Sequence, residues 1–210
     1  MRKKRNILLL FILLFLLSAC QKSPESFTIK NSRGETVRVI ILAESKKEEY
    51  KTSIEEADNI LHAYLGDSYN KGEINPAKIV NESKDSKTVL YGVTTGGKVY
   101  VNMEWYSTNC RELVRTIVHE ELHFQNPKGL NLTIIPEKKN VMLSEYIVYY
   151  LTEKMCTSYN KEKYGEMYYG EAPKIPELDE YRDELSDVYL GRKELSKELL
   201  EIIVDVMRNN

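Results

Sequence analysis

The 210-residue chain carries 30 basic and 32 acidic residues, a formal net charge of −2, and three cysteines. That length suits one domain with a sizeable core. The slight acidity gives no electrostatic basis for nucleic acid binding, and so few cysteines exclude a disulfide framework or a thiolate zinc site.

The chain opens with Arg2, Lys3, Lys4 and Arg5, an uninterrupted apolar run from Ile7 to Leu17, and then Ser18-Ala19-Cys20. This is the pattern of a processing segment, and the run is too short for a spanning helix, which needs about 20 apolar residues. Leu17-Ser18-Ala19-Cys20 resembles a bacterial lipoprotein cleavage box. The resemblance implies a signal peptide over residues 1–19, cleavage before Cys20, and lipid, palmitate included, on Cys20. Such lipid anchors the protein to a membrane on the extracytoplasmic side of a bacterial cell envelope. Removal of residues 1–19 leaves 191 residues, with 26 basic against 32 acidic side chains and a formal charge of −6. Residues 20–35 read as the lipidated N-terminus and a polar tether, and residues 36–210 as a single domain.

Thr36 to Leu42 alternates and is β-branched, which predicts a first strand. From Lys46 to Leu65 the apolar residues Tyr50, Ile54, Ala57, Leu61 and Leu65 recur every three or four positions, a helix that Gly66 ends. Asn81 to Lys87 is a charged connection. Thr88 to Val93 and Lys98 to Met103 form a hairpin joined through Thr94-Thr95-Gly96-Gly97, so the sheet is small and partly antiparallel. A further helix starts at Ser107 to Asn109, where Asn109 and Glu112 have capping-box spacing, and Asn126, Pro127 and Gly129 break it. Leu113, Ile117 and Phe124, with Val114, Val118 and Leu122, give it two apolar rows, so it is buried on much of its surface. Helices follow over Val141–Tyr159, Pro176–Tyr189 and Arg192–Met207, with a surface loop from Tyr159 to Glu177. The expected fold is α+β: one mostly helical domain with a small sheet.

Within the buried helix stands His119-Glu120-Glu121-Leu122-His123. Residues four apart share a helix face, so both imidazoles can meet one metal ion while Glu120 reaches its bound water. A catalytic zinc takes three protein ligands. The chain has three histidines and none follows His123, which makes a downstream carboxylate the expected third ligand. Glu145 fits best, because it lies in the apolar run Val141 to Val148, and a buried charge is paired or bound to metal. Glu153, beside Lys154, is explained by solvation. Glu137 lies in a loop, and Glu121 points off the metal face as an outer or surface carboxylate. His62 reads as a packing or exposed histidine, and Trp105 as a hydrophobic anchor near a cleft mouth shared with Asn102 and Tyr106. Cys110 and Cys156 form either one disulfide or two buried thiols.

The chain resembles zincin-like metallopeptidases, in the branch where a glutamate on the following helix completes two histidines on zinc. In that branch the glutamate commonly opens a stretch resembling Glu-Gly-x-x-Glu; Glu145 matches the first position, and Leu151-Thr152-Glu153 resembles its continuation. Tyr146 occupies the glycine position and Tyr149 the second glutamate position. The resemblance covers roughly Lys98 to Cys156. It implies a zincin-like fold, His119, His123 and Glu145 as zinc ligands, and hydrolysis of peptide bonds in an extracytoplasmic protein or peptide. Glu120 then takes a proton from zinc-bound water and passes it to the leaving amine. It also implies an oxyanion donor, for which Tyr149 and Tyr150 are candidates, and an edge strand for extended substrate, assigned to Lys98–Met103. The competing readings are a surface binding protein that keeps zinc for stability, a structural lipoprotein, and a hydrolase of nonpeptide substrates.

Overall fold

The computed structural model describes residues 25–30, 35–83, 90–107, 110–126, 129–165 and 172–209. It is a mixed α+β architecture. Five strands, β1 (Ser26–Lys30), β2 (Thr36–Ile41), β3 (Ile74–Asn81), β4 (Gly92–Thr95) and β5 (Lys98–Asn102), form one sheet in the order β1-β2-β3-β5-β4. All neighbours are antiparallel except β3 and β5. The helices are α1 (Glu44–Glu49), α2 (Lys51–Leu65), α3 (Arg111–Gln125), α4 (Glu137–Tyr159), α5 (Lys161–Tyr164), α6 (Arg182–Tyr189) and α7 (Lys197–Asn209). Among the described residues no helix is long and apolar enough to cross a membrane. The signal segment, Cys20 and the start of the tether lie outside the described residues.

The period-two pleat divides the sheet's side chains between two cores. Val99 and Val101 of β5 join the main helical core, whereas Tyr100 joins Val37, Val39, Ala77 and Ile79 on the other face. Phe27 of β1 meets Tyr100 edge to face, with ring centroids 5.1 Å apart. The segment expected to be only a tether therefore supplies an edge strand, because Phe27 and Ile29 have apolar surface to cover. The hairpin turns at Gly96-Gly97, whose φ angles of 58° and 74° are those of a primed two-residue turn.

Strand β5 is not the edge expected of it: it lies between β3 and β4, so β4 is the edge. The neighbour missing from the expectation is β3, which contains the turn-favouring dipeptide Asn75-Pro76. Pro76 is tolerated there because the β2–β3 register ends at Ile41 and Ala77, and the Pro76 carbonyl accepts from Leu42 N at 2.9 Å. Its missing N–H faces the same side at the end of that ladder, so the proline removes a bond only from the terminal pair.

Helix α3 lies between the sheet and its sister helices, packed on β4 and β5 and on α2 and α4. Leu113, Val114, Ile117, Val118 and Leu122 are all fully buried, each worth roughly 1.5–3 kcal/mol of hydrophobic stabilisation. The helix begins at Arg111 with Cys110 at its N-cap; Asn109 of the expected capping box lies outside the described residues, as does Pro127. Helix α4 starts at Glu137, four residues earlier than expected and straight after Pro136, so Glu137 is in a first helical turn and not in a loop. The expected Lys46–Leu65 helix divides at Tyr50, whose hydroxyl donates to the carbonyls of Met103 and Tyr106. Pro176–Tyr181 is a 3₁₀ segment before α6, and the last helix starts at Lys197 and not at Arg192. Cys110 and Cys156 are free thiols, the first half-buried and the second buried.

Glu121 is fully buried and not a surface carboxylate. One oxygen accepts from Gly72 N at 3.1 Å, and the other has no partner. Beside it Gln125 grips Asn70 by exchanging hydrogen bonds with its N–H and carbonyl, so α3 is clipped to the segment that leads into β3. Burial lifts the Glu121 carboxyl from an ordinary 4.5 up to about 7, against the lowering effect of the Gly72 hydrogen bond. The folded protein thus keeps a proton that the unfolded chain releases near pH 4.5, and this group's stabilisation is lost as pH rises through about 7. Denaturant unfolding at pH 5 and pH 8 should show Glu121→Gln gaining stability over the parent at pH 8 by up to ~3 kcal/mol, with a smaller difference at pH 5. An equal effect at both pH values contradicts a buried neutral carboxyl.

Candidate metal centre

Helices α3 and α4 cross so that three ligand-bearing side chains meet. His119 Nε2 lies 3.2 Å from His123 Nε2 and 3.3 Å from Glu145 Oε2, and His123 Nε2 lies 3.4 Å from Glu145 Oε1. With one ligand atom taken from each residue, the three lie within 4.8 Å of one another, and this group could hold a metal ion. His119 is buried, while His123 and Glu145 are partly open to a cleft.

Electrostatics shows what the cluster demands. Burial works to raise the Glu145 carboxyl, but hydrogen bonds from His119 and His123 overcome it and hold Glu145 far below the carboxylate range. Burial likewise opposes the charged His123 ring, yet Glu145 raises it above its ordinary value. Three lone-pair groups in van der Waals contact need a proton or a metal ion between them, whether ring N–H groups or a bound cation.

The two positions at which α4 departs from the resemblance have structural tasks. Tyr149 packs its ring on His119, with centroids 4.5 Å apart. A metal-bound histidine commonly donates its second ring nitrogen to a carboxylate or carbonyl, but His119 Nδ1 is buried without a partner, so the ring is aimed by packing. Tyr146 donates to Asp179 at 2.7 Å and accepts from Arg182 at 2.9 Å, pinning the segment before α6 to α4. Tyr150 is committed to Asp183 at 2.7 Å and leaves Tyr149 as the candidate beside the cluster.

Glu120 lies on the sheet side of α3. It is buried, and burial raises its carboxyl above the ordinary range despite the two histidines. Strand β4 contacts it twice. Thr94 Oγ1 is 2.9 Å from Glu120 Oε2, and a Cβ added to Gly92 would stand only 2.4 Å from Glu120 Cγ and 2.6 Å from Oε1. Gly92 is thus required by close approach, a need that its place in a strand does not reveal.

A cleft of about 860 Å³ opens over Glu120, His123 and Glu145, with Leu90 and Val93 on one wall and Leu132 and Ile135 on the other. The second wall is held by Asn140, whose side chain accepts from Leu132 N at 2.9 Å and donates to Leu132 O at 2.8 Å. The wall is therefore fixed to α4 within two turns of Glu145. Other expected residues lie elsewhere. Asn102 is buried and donates to the Ile79 and Leu90 carbonyls, so it is structural and not at the cleft mouth. Trp105 is 59% exposed and anchors nothing in the core. His62 and Glu153 are exposed. Thr94 and Gly92 were not singled out from sequence, since only the pairing of β4 against α3 brings them to Glu120.

The fold and the cluster define an α+β protein with a two-histidine, one-glutamate group suited to a metal ion. No family model matches the chain, and no curated protein or solved structure matches it.

Gly92→Ala forces the Glu120 side chain to move and should cost about 1–3 kcal/mol in denaturant unfolding, while metal content stays at the parental level because no ligand contacts Gly92. A variant of parental stability contradicts the close approach.

Proposed function

We propose that the protein is a zinc-dependent peptidase of zincin-like fold, held by lipid on Cys20 at the extracytoplasmic face of a bacterial membrane. One observation carries the reading: the ligand group, whose closest contacts are 3.2 to 3.4 Å, stands beside a buried carboxylate, Glu120, that is not one of its members. Two zinc–nitrogen bonds of 2.0–2.1 Å at the tetrahedral angle separate their ligand atoms by about 3.3–3.4 Å. The donor set of two imidazoles and one carboxylate also suits zinc in chemistry and number, leaving one position for water or substrate. A site kept only for stability has no need of Glu120.

Zinc bound there supplies a Lewis acid for a carbonyl oxygen and lowers the pKa of water toward neutrality. The chain does the rest. Glu120, outside the ligand triangle and walled in by β4, receives a proton from water through its carboxylate as the water attacks the scissile carbonyl. It then delivers that proton to the leaving amine. Tyr149, on the other flank of His119, is the candidate donor to the developing oxyanion. The cleft accepts an extended peptide, and β4, an edge strand among the described residues, offers its outer backbone along it.

The test is hydrolysis of an unstructured peptide library by purified, zinc-loaded protein. Glu120→Gln should keep its metal and lose about 10²–10⁴-fold in kcat/KM, and a chelator should abolish the activity reversibly. Metal-loaded protein that cleaves nothing, or a Glu120→Gln variant as active as its parent, contradicts the reading. Tyr149→Phe keeps the ring against His119 and removes only the hydroxyl. A fall in kcat of about 10-fold or more at constant metal content is expected of an oxyanion donor, and an unchanged kcat assigns Tyr149 to packing alone.

The lipid anchor has its own test. Labelled palmitate should enter the parent chain and not Cys20→Ala, which should leave the membrane fraction. Equal labelling of both contradicts the anchor.

A further inference from the structure

Thr94 pairs with Val99 across the β4–β5 ladder, and on the period-two pleat it shares a face with Gly92, the face that meets α3. Its hydroxyl oxygen lies 2.9 Å from Glu120 Oε2 and 2.9 Å from the Glu120 backbone carbonyl. The hydroxyl has one proton to give, and an ionised carboxylate is the stronger acceptor of the two. Among the described residues no other group donates a hydrogen bond to this carboxylate. Gly92 stands close to the other oxygen, since its α-carbon leaves no room for even a methyl group beside Oε1. Both carboxylate oxygens thus face one four-residue strand, which bonds the first through Thr94 and crowds the second at Gly92. That strand also lines the cleft over His123 and Glu145.

We infer that Thr94 is a positioning residue for the Glu120 carboxylate: through its hydroxyl, β4 fixes the orientation in which Glu120 exchanges a proton with water in the cleft. The inference rests on the reading of Glu120 as the proton carrier and adds the element that aims it. It makes the edge strand part of the catalytic apparatus as well as a rail for substrate. A carboxylate freed from Thr94 can rotate about its terminal torsion, whose energy well is broad. Misplacement of a reacting group by about 1 Å costs on the order of 10²-fold in rate.

Three variants decide the matter. Thr94→Val keeps the shape and removes the hydroxyl, Thr94→Ser keeps the hydroxyl, and Glu120→Gln serves as control. All three should bind metal as the parent does, since Thr94 contacts no ligand. Thr94→Val should lose about 10- to 100-fold in kcat on a cleaved library peptide, with KM changed by less than about twofold, as for an interaction used only in the transition state. Thr94→Ser should recover most of that loss. A parental kcat in Thr94→Val, a loss confined to KM, or a Thr94→Ser variant as impaired as Thr94→Val overturns the inference. A crystal structure of Thr94→Val supplies a readout that needs no activity: Glu120 should leave its parental rotamer, and an unmoved Glu120 also overturns the inference. If instead Glu120→Gln is fully active, it is the role of Glu120 that fails, whatever Thr94 does.

Discussion

Two imidazoles and a carboxylate pressed within 3.4 Å of one another are the constraint on which the rest of this molecule depends. Their mutual approach is favourable only where ring N–H groups or a metal ion stand between the lone pairs, and burial makes that demand stricter by stripping away water. The surrounding structure keeps the three together. Helix α3 is buried along two rows, α4 crosses it at Glu145, and Tyr149 closes over His119 where a hydrogen bond is missing. Tyr146, Asp179 and Arg182 then tie the outer face of α4 to the next segment. The ligand geometry is thus set by packing over a wide area, with polar contacts tying both helices to their neighbouring segments.

The sheet provides the second half of the site. Its edge strand meets α3 at Glu120, and the remaining strands stand behind it as a rigid support with a small core of their own. Glu121, the neighbouring residue, points away from the cleft and clips α3 to the entry of β3. Adjacent glutamates on one helix therefore have opposite duties, one in the cleft and one in the frame, because successive residues lie about 100° apart around the axis.

What was legible in the sequence was what helical periodicity alone determines. His119, Glu120 and His123 are local to one turn, and Glu145 betrays itself as a carboxylate in an apolar run. The mixed α+β class and most helices were readable for the same reason. What escaped depends on partners distant in the chain. Strand β3 was hidden by Asn75-Pro76, whose tolerance depends on where β2 ends. Without β3, β5 was mistaken for an edge. The burial of Glu121 needs Gly72, the roles of Gly92 and Thr94 need the crossing of β4 on α3, and β1 needs Tyr100 to cover Phe27. Pro136 at the N-cap of α4 is a local signal that was available, and it moves Glu137 from loop to helix.

The most direct measurement is the metal content of the purified, folded protein, determined by elemental analysis for the parent and for His119→Ala, Glu145→Ala and Glu120→Gln. The account requires about one zinc per chain in the parent and in Glu120→Gln, with retention weakened in the other two, because the proposed role of Glu120 is that of a base and it is not in the ligand group. A folded parent that takes up no zinc when metal is supplied, or His119→Ala and Glu145→Ala variants that hold it as firmly as the parent, contradicts the proposed centre.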